Sequence, residues 1–308
     1  MSLFFFSPQN QTNISRLGKW GGLAYILLFG GVCLLVFSPL TKILTKFLFE
    51  NPQSADSLKF SNAILQIFIT ATTVLGVGFF ICKNRPLHYL PLKKSIYPRD
   101  FFMILIFAFL SLPFVNFVAD WNQSLHLPTL FSNLETWIRE TESQLAATTE
   151  LLLQGKTFNI LIINLLAIAL IPALCEEFFF RGLLQQWAVF ALGNKIVGVL
   201  FTAFIFSAIH LQFLGFFPRF LLGIYLGYLT IKSGTLWSAV LAHFINNAII
   251  VVAAFLYHNH IICIDYHTVG NFSNNITIII ASAFLSFLLL FWYHKRYKFP
   301  PKFPHRDF

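Results

Sequence analysis

Charge is what this chain has least of. Only 11% of its 308 residues are Asp, Glu, Lys or Arg, where soluble globular domains carry about 25%. Acid is scarcest, with 12 acidic residues against 21 basic ones and a net charge of +9. So little charge excludes an ordinary solvated surface. Cysteine is also sparse: Cys33, Cys82, Cys175 and Cys263 lie scattered in or beside apolar runs without C-x-x-C spacing, which indicates neither a disulfide framework nor a zinc finger. H-E-x-x-H is missing, and with it the zincin-type protease helix. G-x-S-x-G is missing too, and with it the usual serine elbow. No cleavable signal peptide is expected, because Leu3 to Phe6 is far too short an apolar core. No C-terminal C-a-a-X box is present, so the chain itself is not expected to be prenylated.

What fills the space is apolar. The composition is 57% hydrophobic with 39 phenylalanines, and the mean hydropathy is +0.72. These values describe an integral membrane protein. A charge of +9 would suggest nucleic acid, but the basic residues stand in short clusters between apolar runs, as topology signals do. No nucleic-acid partner is expected; the lipid bilayer is.

A span needs about 20 apolar residues. Eight runs qualify, near 20–38, 61–82, 101–119, 158–191, 196–213, 217–231, 235–257 and 275–293, which predicts an all-α polytopic bundle of about eight spans. Residues 1–156 are read as N-terminal spans and an amphipathic connection, 157–257 as the core that carries the chemistry, and 258–308 as the last span and a basic tail. The basic clusters fall on alternate connections: Arg16 and Lys19; Lys83, Arg85, Lys93, Lys94 and Arg99; Lys195; Lys232; and Lys295, Arg296, Lys298, Lys302 and Arg306. The positive-inside rule makes that side the cytoplasm, so both termini are expected there. The connection from Asp120 to Lys156 carries Leu130, Leu134, Trp137, Ile138 and Leu145 near helical spacing between acids. That pattern fits a helix lying on the outer membrane surface or an ordinary solvated one. Gly223 and Gly227 stand at GxxxG spacing and are read as packing glycines.

Cys175-Glu176-Glu177-Phe178-Phe179-Phe180-Arg181-Gly182 is the exception to the shortage of charge. Ionisable groups in hydrocarbon are costly, rare and usually functional. On a helix Glu177 and Arg181 share a face, and Glu176 points about 100° away. The plain alternative is a structural ion pair locking two helices. Two later histidines weigh against it. His210 follows Phe206 by four, and His243 precedes Asn247 by four. Glu176 and Glu177 are the only acids placed within a span, and His210 and His243 the only histidines placed well inside one. Buried polar groups must find each other where lipid offers no partner.

Such a cluster supports two chemistries. A desolvated carboxylate beside an imidazole can take a proton from water, while an imidazole and a carboxamide on one face can stabilise an oxyanion. Equally, His210, His243 and Glu176 are a workable zinc set with the second glutamate as base. Cys175 is read as a small inert residue rather than a nucleophile.

Glu176-Glu177-x-x-x-Arg181, Phe206-x-x-x-His210 and His243-x-x-x-Asn247, in that order, resemble the CPBP family, the CAAX-processing and Abi-type intramembrane proteases. The resemblance runs from about Ile160 to about Phe255. It implies an eight-helix endopeptidase acting on a peptide or protein substrate at the membrane. By that analogy Glu176 and His210 activate water, His243 and Asn247 stabilise the oxyanion, and Glu177 and Arg181 hold the site or orient substrate. It implies either zinc dependence or a metal-free glutamate mechanism. Family members process prenylated CAAX proteins or take part in bacteriocin maturation and self-immunity. The Phe-rich chain without organellar signals is read as bacterial, at the inner or plasma membrane. A non-proteolytic immunity or scaffold protein is the runner-up, and a proton-coupled transporter ranks last for want of repeat symmetry.

One expectation conflicts with the rest. Counted from Phe158, Glu176 lies roughly 27 Å along its helix, while His210 lies roughly 21 Å along the next, antiparallel one. The two then fall near opposite faces of the membrane. Either Pro172 breaks the fourth run just before the glutamates, or the fifth helix is displaced.

Overall fold

The fourth run decides the architecture. In the computed structural model, which describes residues 14–82, 87, 90–92, 95–263 and 275–296, that run is one helix from Phe158 to Leu192. All eight predicted runs are helical, and every regular element among the described residues is a helix. In chain order they are α1 (Ile14–Leu48), α2 (Ala55–Cys82), α3 (Pro98–Leu110), α4 (Leu112–Gln123), α5 (Ser132–Leu153), α6 (Phe158–Leu192), α7 (Lys195–Ala208), α8 (Phe216–Ser233), α9 (Leu236–His258) and α10 (Ile276–Arg296). The clusters at Lys83, Arg85, Lys93 and Lys94, the N-terminal Leu3–Phe6 run, and Lys298, Lys302 and Arg306 of the tail lie outside the described residues.

Among the described residues, six helices (α1, α2, α6, α8, α9 and α10) are long and apolar enough to cross a membrane. The third run is instead the pair α3 and α4, bent by 46°, where Pro113 enters the second helix at its first turn and cannot continue the first. The fifth run is only the 14-residue α7, roughly 21 Å of helix against a hydrocarbon core of about 30 Å. The protein is an integral, multi-pass membrane protein.

Pro172 does not break α6. A π-helical turn, Leu165–Leu170, precedes it, and a second one, Phe178–Leu184, follows Glu177. Proline removes one backbone donor and crowds the preceding turn; a wider turn is one way a helix absorbs this without stopping. The Thr157 hydroxyl caps the start by accepting from Ile160 N at 3.4 Å, and Gly193 ends the helix at φ 67°, the left-handed geometry glycine adopts without a Cβ penalty. Asn194 then caps α7, accepting from Ile196 N at 2.8 Å and Val197 N at 3.2 Å.

Of the buried apolar clusters, one is built on α6 and another lies among helices that surround it in sequence. The first gathers Leu23, Ile26, Val74, Phe180, Trp187 and Phe206 from α1, α2, α6 and α7. It closes tightly enough that a Cβ on Gly22 would overlap the Trp187 ring. The other joins α3, α8, α9 and α10 through Met103, Ile104, Leu226, Leu229, Ala239 and Tyr293. The long connection forms the expected helix, α5. It buries Ile138 and Leu153 but leaves Leu134 and Trp137 exposed, as is Leu130 in the short turn before it.

Candidate active site

Glu177 is the fixed point. Its side chain has no solvent exposure, and Oε1 accepts from Arg181 NH1 at 2.7 Å and from His243 Nδ1 at 2.8 Å. Arg181 is equally buried, reaches the Gly223 carbonyl through NH2 at 3.1 Å, and stands 4.6 Å from the Phe206 ring centroid. The predicted i, i+4 pair is therefore made, and it ties α6 to α8 and α9. Glu176, one position earlier, points elsewhere. It retains 22% side-chain exposure, and its Oε2 lies 3.9 Å from His243 Nε2. His243 thus stands between the two carboxylates.

His210 completes the group. It lies beyond the end of α7, in the turn that follows, rather than within a span. Its Nδ1 meets the Phe206 carbonyl at 2.7 Å. A carbonyl can only accept, so Nδ1 carries the proton and, in the neutral ring, Nε2 is the acceptor. His210 and Glu176 line one cavity of about 370 Å³, walled by Gly30 and Gly31 of α1 and Gln66 and Thr70 of α2. The depth conflict disappears on counting from the α6–α7 turn instead of from Phe158. Glu176 is about 26 Å before Gly193, and His210 about 24 Å after Asn194, so the two legs of the hairpin bring them level.

Phe206 organises the rings of the site. It packs edge-on against Phe180 at 5.1 Å, His210 at 5.2 Å and His243 at 5.9 Å between centroids, beneath the Arg181 guanidinium. Asn247 lies one turn beyond His243 on α9. Its Oδ1 accepts from Asn246 Nδ2 at 3.3 Å, which leaves its own Nδ2 to donate. Asn247 does not line the cavity that holds Glu176 and His210.

The reading of Gly223 and Gly227 as packing glycines holds, and more follows from it. A Cβ on Gly223 would stand 2.9 Å from Ala203 Cβ, and one on Gly227 would stand 2.9 Å from Val199 Cγ1. The bare backbone lets the Gly223 carbonyl serve Arg181 and the Gly227 carbonyl serve Gln185 Nε2, the latter at 3.1 Å.

Sequence reasoning missed the residues that hold the turn after His210. Leu211 takes φ 54° there, an uncommon conformation for a bulky residue. Glu142 of α5 accepts from Leu214 N at 2.7 Å. Asn122 of α4 accepts from Phe217 N at 2.9 Å and donates to the Phe213 carbonyl at 3.1 Å. Arg219 forks onto the side chain and carbonyl of Gln212, both at 2.5 Å. Only their being polar in an apolar chain marked them. Gln66 was missed as well. Its Oε1 is buried in the cavity wall with no hydrogen-bond partner.

Among the described residues, no group of three or more His, Cys, Asp or Glu stands close enough together to hold a metal ion. Glu176, His210 and His243 as arranged do not form a ligand cage.

Residues 158–249, just under a third of the chain, match the Rce1-like family, described as type II CAAX prenyl endopeptidase Rce1-like. All three motifs fall inside the match, which supports the resemblance drawn from them. The matched family is one of proteases. No curated protein and no solved structure matches the chain.

Proposed function

We propose that this chain is an intramembrane endopeptidase that hydrolyses a peptide bond of a membrane-associated peptide or protein by carboxylate-activated water. The observation that carries the reading is the split between the two adjacent glutamates. Glu177 is wholly buried and doubly paired, while Glu176 opens with His210 onto a cavity.

A water held there meets two acceptors, the Glu176 carboxylate and His210 Nε2. Its oxygen attacks the substrate carbonyl carbon while Glu176 takes its proton. The developing oxyanion accepts a hydrogen bond from a protonated His243 Nε2, with Asn247 one turn further along α9. Collapse breaks the C–N bond, and the proton held by Glu176 passes to the leaving amine. Arg181 neutralises Glu177. One further proton, shared between Glu176 and His243, then leaves the cluster uncharged overall, which suits a site shielded from water. Gln66 Oε1 offers an acceptor to a substrate N–H, and the apolar cavity wall suits an apolar residue beside the cut. The bilayer surrounds the site, no nucleic acid takes part, and both termini face the cytoplasm of a bacterial cell.

Purified protein in liposomes, mixed with membrane-associated peptides, should give products cut at one bond. Metal analysis on the same preparation should find far less than one equivalent of zinc, with full activity after chelation. One equivalent of zinc, with activity lost to chelator and restored by zinc, would replace this mechanism with a metal-assisted one. Failure to cut any peptide would favour the scaffold reading.

A further inference from the structure

A second cavity is about twice the size of the one that holds Glu176. It measures about 720 Å³ and lies between α3, α4, α8, α9 and α10. Its wall is almost wholly aliphatic and aromatic, and no acidic side chain lines it. On α8 the lining runs from Pro218 to Tyr228, roughly 15 Å, and on α10 from Ala283 to His294, roughly 16 Å. That is the depth of one leaflet of hydrocarbon, half of about 30 Å.

The end at Tyr228 and His294 is polar and cationic. Tyr228 Oη lies 3.3 Å from His294 Nδ1, and Lys232 Nζ donates to the His294 carbonyl at 3.1 Å. Lys295 Nζ stands 4.6 Å from the ring centroid of Phe291, which also lines the cavity. Arg296 is next in sequence and exposed. At the far end the one cation, Arg219, already forks onto Gln212. A one-leaflet apolar slot with phenol, imidazole and ammonium groups at its mouth matches one ligand chemistry. We infer that this cavity is a binding site for a single anionic glycerophospholipid. One acyl chain fills the slot, and the phosphate sits at Tyr228, His294 and Lys295. A cluster of cations at the membrane surface attracts an anionic headgroup, and that attraction separates it from a zwitterionic one.

The site also adjoins the chemistry. Asn246 lines the slot and donates to Asn247, so an occupied slot would fix the carboxamide pair on α9. The binding itself stands apart from the protease reading and is tested apart from it.

Detergent-purified protein, delipidated and then titrated with phosphatidylglycerol or phosphatidylcholine, is read by native mass spectrometry. The expected result is one tightly held phosphatidylglycerol per chain, bound at least tenfold better than phosphatidylcholine. Ala283→Trp, which fills the slot, should abolish that equivalent. Lys295→Glu, at an exposed position outside the packed core, should bring the two lipids to parity even if Ala283→Trp fails to fold. Equal binding of the two lipids to wild type would overturn the assignment, as would a retained equivalent in folded Ala283→Trp. Equal competition by a free fatty acid would overturn the phosphate site.

Discussion

Arg181 has no water to fall back on. It is fully buried between the Glu177 carboxylate, the Gly223 carbonyl and the Phe206 ring. Removing one half of a buried pair strands the other charge, at a cost of roughly 3–5 kcal/mol. Arg181→Ala should therefore lower the melting temperature in detergent as well as activity. Arg181→Lys should recover only part of the stability, because a point charge cannot serve carboxylate and carbonyl as a fork does. A thermal-shift series checks the order; an Arg181→Ala protein that melts like wild type would make Arg181 a substrate ligand instead. Gln66 poses the opposite case. Its Oε1 is buried without a partner in the cavity wall, and an unmet buried acceptor destabilises by about 1–3 kcal/mol. Gln66→Leu should melt no lower than wild type and raise KM for peptide about tenfold, the worth of one hydrogen bond, with kcat little changed. A fall in kcat at constant KM would contradict a substrate-binding role.

At the scale of elements, close approach of α7 and α8 sets the Arg181 pocket. A Cβ at Gly223 would meet Ala203 Cα at 3.0 Å and Phe206 Cδ1 at 3.3 Å. Gly223→Ala should destabilise by about 1–3 kcal/mol through overpacking and lower activity with it, read by thermal shift and turnover together. The helices, the i, i+4 pair and the four-residue spacings on α7 and α9 were legible in the sequence, because periodicity and the cost of buried charge are local rules. The level of His210 was not. It depends on where α6 turns into α7, and the apolar run to Leu192 hides that point in an unbroken stretch. Pro172 misled for a related reason, since absorbing a proline in a π-helical turn depends on the neighbouring helices. The roles of Asn122 and Glu142 rest on contacts 72 to 95 positions away, which no spacing announces, and that of Gln66 on a cavity wall shared with Glu176 and His210.

Across the whole molecule, α5 links the long connection before α6 to the site by way of Leu214. Its first turns are clamped by Glu135, which accepts from His126 Nδ1 at 2.7 Å, Leu127 N at 2.9 Å and Arg139 Nε at 2.9 Å. The bonds from His126 first, then Arg139 and Leu127, hold its carboxyl down at about 2. An unfolded Glu titrates near 4.3. The clamp's contribution is therefore complete above that value and is lost as pH falls toward 2. Hydrogen exchange across residues 125–139 should quicken over that acid window in wild type, and Glu135→Gln should flatten the dependence. An acid response that persists in Glu135→Gln would place the titrating group elsewhere.

The account turns on a division of labour between two neighbouring carboxylates, and one paired measurement addresses it. Wild type, Glu176→Gln and Glu177→Gln are purified side by side, and peptide cleavage and melting temperature are read on the same samples. Glu176→Gln should lose at least about a hundredfold in turnover, the lower range for a general acid–base group, while melting within a degree or two of wild type. Glu177→Gln should lose turnover and melt several degrees lower, because it strips Arg181 and His243 of their shared partner. A Glu176→Gln protein that cleaves like wild type would contradict the claim that Glu176 activates the attacking water.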